Sequence, residues 1–264
     1  DYLLTLKAGS GEIRFHSTVG EDVLLSGLLV PCAALVEFDG TVAVRNEGID
    51  ITADDVTFHD AVEVTGTGTV EITNDDLLIL DEAADFVLDG SFTQNGNGTV
   101  QTAGEITTSG DSIDIAGVMT LTGDVKLDTG DGSGTVTFSS GVTGDFLLEI
   151  AAGTGDIDFD STVGAGAPLD GLLISTASSV TFDGTVAVEA RDLDITATNV
   201  TFHAGVTTTA EGTVAISLAA DGSLTLDEAA DFVLDGSFMQ DGGGVVRTAA
   251  EISTTNDSIL FADE

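Results

Sequence analysis

The stretch VTFDGTVAV, residues 180–188, sets the rule by which this chain is built. Apolar side chains alternate with small or polar ones on both sides of Asp183-Gly184, and β-branched residues dominate. Such alternation reads as two short strands with one face turned inward. Asp and Gly between them tolerate a sharp bend and mark a corner. The phrase recurs as VEFDGTVAV at 36–44, and in shorter form as IRFHSTV at 13–19, VTFHDAV at 56–62, VTFSSGV at 136–142 and IDFDSTV at 157–163. Its phenylalanines keep a period: Phe15, Phe38 and Phe58 are 23 and 20 residues apart, and Phe138, Phe159, Phe182 and Phe202 are 21, 23 and 20 apart.

A third strand follows the first two, as in IDITA at 49–53 or LDITA at 193–197, and closes on turn residues such as Asp54-Asp55 or Thr198-Asn199. Three short strands and three corners in roughly 20 residues are the content of one coil of a parallel β-helix, a β-solenoid. The expected fold class is therefore all-β.

A longer repeat lies over the short one. DEAADFVLDGSF occurs at 81–92 and again at 227–238; Gly11 matches Gly155 and Gly40 matches Gly184 at an offset of 144. The chain thus divides into a first super-repeat (1–118), intervening coils (119–147) and a second super-repeat (148–264), all one continuous solenoid. The offset is expected to hold about seven coils and the chain about thirteen, a rod of ~60 Å at ~4.8 Å per stacked strand. DEAADF breaks the rhythm in both copies and reads as a bulge or loop with the character of one helical turn. Because the pattern is already running at residue 4 and breaks off after Ile259, a longer parent is expected.

Other architectures fit less well. A β-sandwich has no 20-residue echo, and 33 Gly with abundant Thr and Val leave no sustained helical period. No apolar run approaches the ~18 residues that would cross a bilayer as a helix, so membrane insertion is not expected. Forty-six Asp and Glu face six Lys and Arg, a formal net charge of −40. Over ~60 Å that is near the linear charge density of duplex DNA, so nucleic acid is excluded as a partner and cations are attracted. The single cysteine, Cys32, has Thr176 as its counterpart and reads as a buried or half-buried structural thiol.

Few residues carry recognisable chemistry. His59 and His203 occupy equivalent corners, while His16 matches Asp160; sequence spacing supplies no further His or Cys, so each reads as a corner histidine bonded to backbone. No cofactor is required on this reading, and calcium is the one ion considered, with Asp54, Asp55, Asp75 and Asp76 in acidic turns as its candidate ligands. The bases do not repeat: Arg14 is matched by Asp158, Arg45 by Glu189 and Lys7 by Ala151, which speaks against a lyase acting on an anionic glycan. A hydrolase needs only two carboxylates, yet no acid stands out from the repeating background. An enzyme is therefore not the expectation, and no catalytic residue is assigned.

GDIDFDSTV (155–163), LDGLLIST (169–176), VTFDGTVAV and LDITATNVTF (193–202) resemble the repeats of very large secreted bacterial surface proteins, the filamentous-haemagglutinin-like adhesins and related β-strand-repeat proteins. The resemblance implies a right-handed β-helix shaft, placement outside the cell or on its surface, and a role in adhesion or filament building. It carries no binding tip or secretion domain within these residues. The expected function is a structural segment of an extracellular fibre or giant surface protein, a stiff polyanionic shaft that associates with copies of itself or adjoining repeats. The alternatives are a calcium-dependent adhesin contacting cell-surface glycans, and a glycan-active β-helix enzyme.

Overall fold

In a computed structural model, which describes residues 2–20 and 23–262, every regular element is a β-strand and every strand pairing is parallel. The registers run from turn to turn as three ladders of inward side chains. One passes from Leu4 through Leu28, Ile49, Val70, Phe92, Ile113 and Val136 to Ile157, Val180, Val200, Leu224 and Val246. The second passes from Ile13 through Val36, Val56, Leu78, Val100, Met119 and Val142 to Val163, Val186, Val206, Phe232 and Ile252. The third passes from Val19 through Val42, Val62, Phe86, Ile106 and Leu127 to Ile150, Ile174, Ile195, Ile216, Gln240 and Phe261. The chain is a β-solenoid of about twelve turns. Leu4 and Val246, eleven steps apart on one ladder, are 242 residues apart, or about 22 residues per turn.

The alternation of VTFDGTVAV is realised as read. Strands Ser179–Phe182 and Val186–Val188 flank the Asp183-Gly184 corner, and Val180, Phe182, Val186 and Val188 are buried. The corner after LDITA is gentler than expected. Leu193–Phe202 runs through Thr198 as one bent strand with a register shift, so ladder hydrogen bonding continues almost across it. DEAADF holds no helix: Ala84 donates to the Asp81 carbonyl at 2.8 Å, which closes a tight turn, and Ala84 is buried.

Phenylalanine rings stack along the axis. Phe15, Phe38 and Phe58 lie 4.8 and 4.6 Å apart, and Phe138, Phe159, Phe182 and Phe202 lie 4.8, 4.8 and 4.7 Å apart, with their rings nearly parallel throughout. The spacing equals the rise between paired strands, so a residue kept at one ladder position meets its own kind on the next turn. Among the polar side chains buried in the core, Asn74 and Gln94 bond to each other across successive turns. Gln94 donates to Asn74 Oδ1 at 2.7 Å and accepts from the Gly117 amide at 2.8 Å, while Asn74 donates to the Thr99 carbonyl. These bonds meet the requirement that buried amides be paired.

The two long copies do not stand face above face. Phe15, Phe38 and Phe58 belong to the second ladder, whereas their counterparts Phe159, Phe182 and Phe202 belong to the first. Likewise Phe86 lies on the third ladder and its counterpart Phe232 on the second. The 144-residue offset therefore spans six and two-thirds turns, not seven, because a turn averages about 22 residues rather than 20. Each copy is displaced by one ladder around the rod. Cys32 also departs from expectation: with Pro31 it projects outward at the bend between Val30 and Ala33, and its thiol is exposed. The outer chain limits, 1 and 264, fall outside the described residues.

Candidate functional site

The first four strands on the second ladder each end in a phenylalanine or leucine, and the next residue turns out at the corner. Because Phe15, Phe38, Phe58 and Leu80 are in register, His16, Asp39, His59 and Asp81 form a row along the axis. Their amides anchor the row: those of Asp39, His59 and Asp81 donate to the carbonyls of Phe15, Phe38 and Phe58. His16 Nδ1 lies 2.6 Å from Asp39 Oδ2, and His59 Nδ1 lies 2.5 Å from Asp81 Oδ2. The imidazoles are thus bonded to carboxylates one turn away, rather than to backbone as the sequence suggested.

Outward positions of the same strands bring more charge beside the row. Glu37 places Oε1 3.2 Å from His59 Nε2, and its Oε2 meets the Arg14 guanidinium, which also holds Glu12 at 3.0 Å. One donor atom from each of Glu37, Asp39 and His59 lies within 4.8 Å of the others. Spacing along the chain suggested that no histidine here has companion ligands. Stacking supplies them, because residues 20 and 22 positions apart become neighbours on successive turns. The only available signal was the Phe period itself, which puts the residue after each Phe in one column.

The acidic turns at Asp54-Asp55 and Asp75-Asp76 are arranged differently. Asp54 and Asp55 sit at the bend of Val42–Phe58, and Asp75 and Asp76 at the bend of Val70–Leu80, one turn further. Asp54, Asp75 and Asp76 are exposed and Asp55 is half-buried. Among the described residues, the three-donor grouping does not include any of them.

The second copy repeats the row on the first ladder as Asp160, Asp183, His203 and Asp227. His203 Nδ1 lies 2.6 Å from Asp227 and Nε2 lies 3.8 Å from Asp183. Where the first copy has Arg14 and Glu37, the second has Asp158 and Thr181. Burial holds the Asp158 carboxyl above its ordinary range, and Asp156, Asp160 and Asp183 push it further the same way, against a hydrogen bond from Thr181. A carboxyl raised in the folded state favours folding fully below its ordinary value of 3.8, and loses that contribution as pH rises through the folded value. Asp158→Asn is therefore expected to raise the melting temperature at neutral pH and to leave it unchanged at about pH 3. Thermal unfolding at the two pH values checks this; an equal shift at both would show that charge is not the cause.

A groove of about 900 Å³ runs beside the first-copy row, floored by Ala103, Thr122 and Gly123. Its walls carry Asp81, Glu82 and His59 on one side and Asp124, Phe146 and Arg191 on the other. Arg191 bonds Asp124 and Asp170, each at 2.7 Å. A backbone donor from Leu147 and the Arg191 guanidinium hold the Asp124 carboxyl below its ordinary range. Comparison with protein family models, with curated proteins and with solved structures finds no match to this chain.

Proposed function

We propose that this chain is a structural segment of an extracellular fibre or giant cell-surface protein: a right-handed β-helix, three strands to a coil, serving as a stiff polyanionic shaft. The observation that carries the reading is the displacement of the two copies by one ladder. Duplicating a block of six and two-thirds turns reproduces the core and lengthens the rod, yet moves every outward group to another side. Length is what such a duplication multiplies; a binding face is not. The net charge of −40 keeps the rod hydrated and apart from its neighbours unless cations intervene. Association with copies of itself or adjoining repeats is part of this reading.

Electron microscopy of the native material, with and without millimolar calcium, tests this. Continuous fibres are expected. Fibres only with calcium would make the acidic faces cross-linking surfaces, the mode of a cation-dependent adhesin. Isolated short rods under both conditions would sink the shaft reading. A second reading, glycan binding or hydrolysis, is supported by the groove. Its Asp124 and Phe146 lie between the copies, so that face is unique, and Phe146 offers a ring to a sugar. Loss of neutral-oligosaccharide binding in Phe146→Ala would favour it, and no binding by the native chain would end it.

A further inference from the structure

His59 stands where three turns meet: Glu37 and Asp39 come from the turn before it and Asp81 from the turn after. The 2.5 Å contact with Asp81 occupies His59 Nδ1, as an N–H donating to an ionised carboxylate would. Nε2 then faces Glu37 Oε1 at 3.2 Å. A nitrogen lone pair and a carboxylate oxygen repel at that distance unless positive charge lies between them. A metal ion held between the two groups supplies such a charge.

Three further features favour an ion. Arg14 engages Glu37 through Oε2, which leaves Oε1 as a single aimed donor. Asp39, whose Oδ2 also meets His16 Nδ1 at 2.6 Å, completes a set of three donor atoms within 4.8 Å of one another. Ligands ~2.0–2.2 Å from a tetrahedral centre lie ~3.3–3.6 Å apart, so side-chain rotation closes the set. Four carboxylates (Glu12, Glu37, Asp39 and Asp81) face one guanidinium, so a divalent charge is welcome there.

We propose that Glu37, Asp39 and His59 form a site for a borderline divalent cation of the zinc type, with Asp81 fixing the imidazole from behind. A carboxylate on the far ring nitrogen orients a ligating histidine and raises its basicity. Imidazole together with carboxylates selects transition ions over calcium and magnesium, which take all-oxygen shells. Water completes the coordination. The ion ties two successive turns of the rod together from outside, while Asp81 reaches the site from the third.

The second copy is a built-in control. His203 keeps the carboxylate on Nδ1, but the position of Glu37 is Thr181 and Nε2 is 3.8 Å from Asp183. It offers two of the three ligands, so one tight site per chain is expected.

The test is calorimetric titration of the full chain with zinc in physiological salt and millimolar magnesium, which saturates diffuse binding to the polyanion. One zinc per chain is expected. His59→Gln and Glu37→Gln should each weaken it at least ~30-fold, Asp81→Asn ~10-fold with stoichiometry kept, and His203→Gln not at all. Zinc should also raise the melting temperature of the native chain but not of His59→Gln, a readout that confirms the variant folds. Displacement of all zinc by magnesium, or equal affinity in His59→Gln and His203→Gln, would overturn the proposal and leave a proton between the two groups.

Discussion

Phe182→Ala is expected to cost about 3–5 kcal/mol in urea unfolding, among the largest effects of any single truncation in the rod. The Phe182 side chain is fully buried, and its ring lies 4.8 Å from Phe159 and 4.7 Å from Phe202, at interplanar angles of 6° and 8°. Removing it loses the transfer free energy of a benzyl group and opens a void between two rings. The turns above and below cannot close that void, because their spacing is fixed by strand hydrogen bonds at Val180 and Phe182 on both sides. In a solenoid each turn couples only to its neighbours, so unfolding should also broaden as the rod divides at this turn. Thr201→Ala, an outward change on the neighbouring strand, should stay within about 0.5 kcal/mol. A cost under about 1 kcal/mol for Phe182→Ala would mean that the stack does not carry the core.

Gly48→Ala should be comparably damaging, about 3–5 kcal/mol, although it adds one methyl group. Gly48 has φ +67°, and a Cβ there would fall 2.0 Å from the Thr69 carbonyl oxygen. That oxygen also accepts the Ile49 amide at 2.8 Å, so moving it away breaks the ladder between successive turns. Gly9→Ala separates the two penalties. Gly9 has nearly the same φ, +63°, but open space around the added Cβ, and should show only the left-handed backbone cost of about 1–2 kcal/mol. Equal effects at the two positions would show that strand approach contributes nothing at Gly48.

The charge on this rod and the order in its core answer to different constraints. Inward positions accept Val, Ile, Leu or Phe almost interchangeably, provided the register holds. Outward positions are free in composition, and here they are filled with acids. Local exceptions follow from contacts across turns: Arg14 in the first copy pairs with Glu37, while Asp158 in its place in the second copy has its carboxyl raised by burial first and then by neighbours of like charge.

The all-β solenoid, the inward Phe and Val positions and the long duplication are legible in the chain, because each is a periodicity that strand geometry translates directly into a face. The corner at Asp183-Gly184 is legible there too. Three things were decided only by the tertiary structure. The displacement of the copies by one ladder depends on the accumulated length of every turn, and a two-residue difference per turn is invisible in any single phrase. The outward thiol of Cys32 depends on how the chain rounds one bend after Pro31. The grouping of Glu37, Asp39, His59 and Asp81 depends on stacking, which makes neighbours of residues about one turn apart and ignores their distance along the chain. Local alternation fixes which way a side chain points; only the register between turns fixes what it meets.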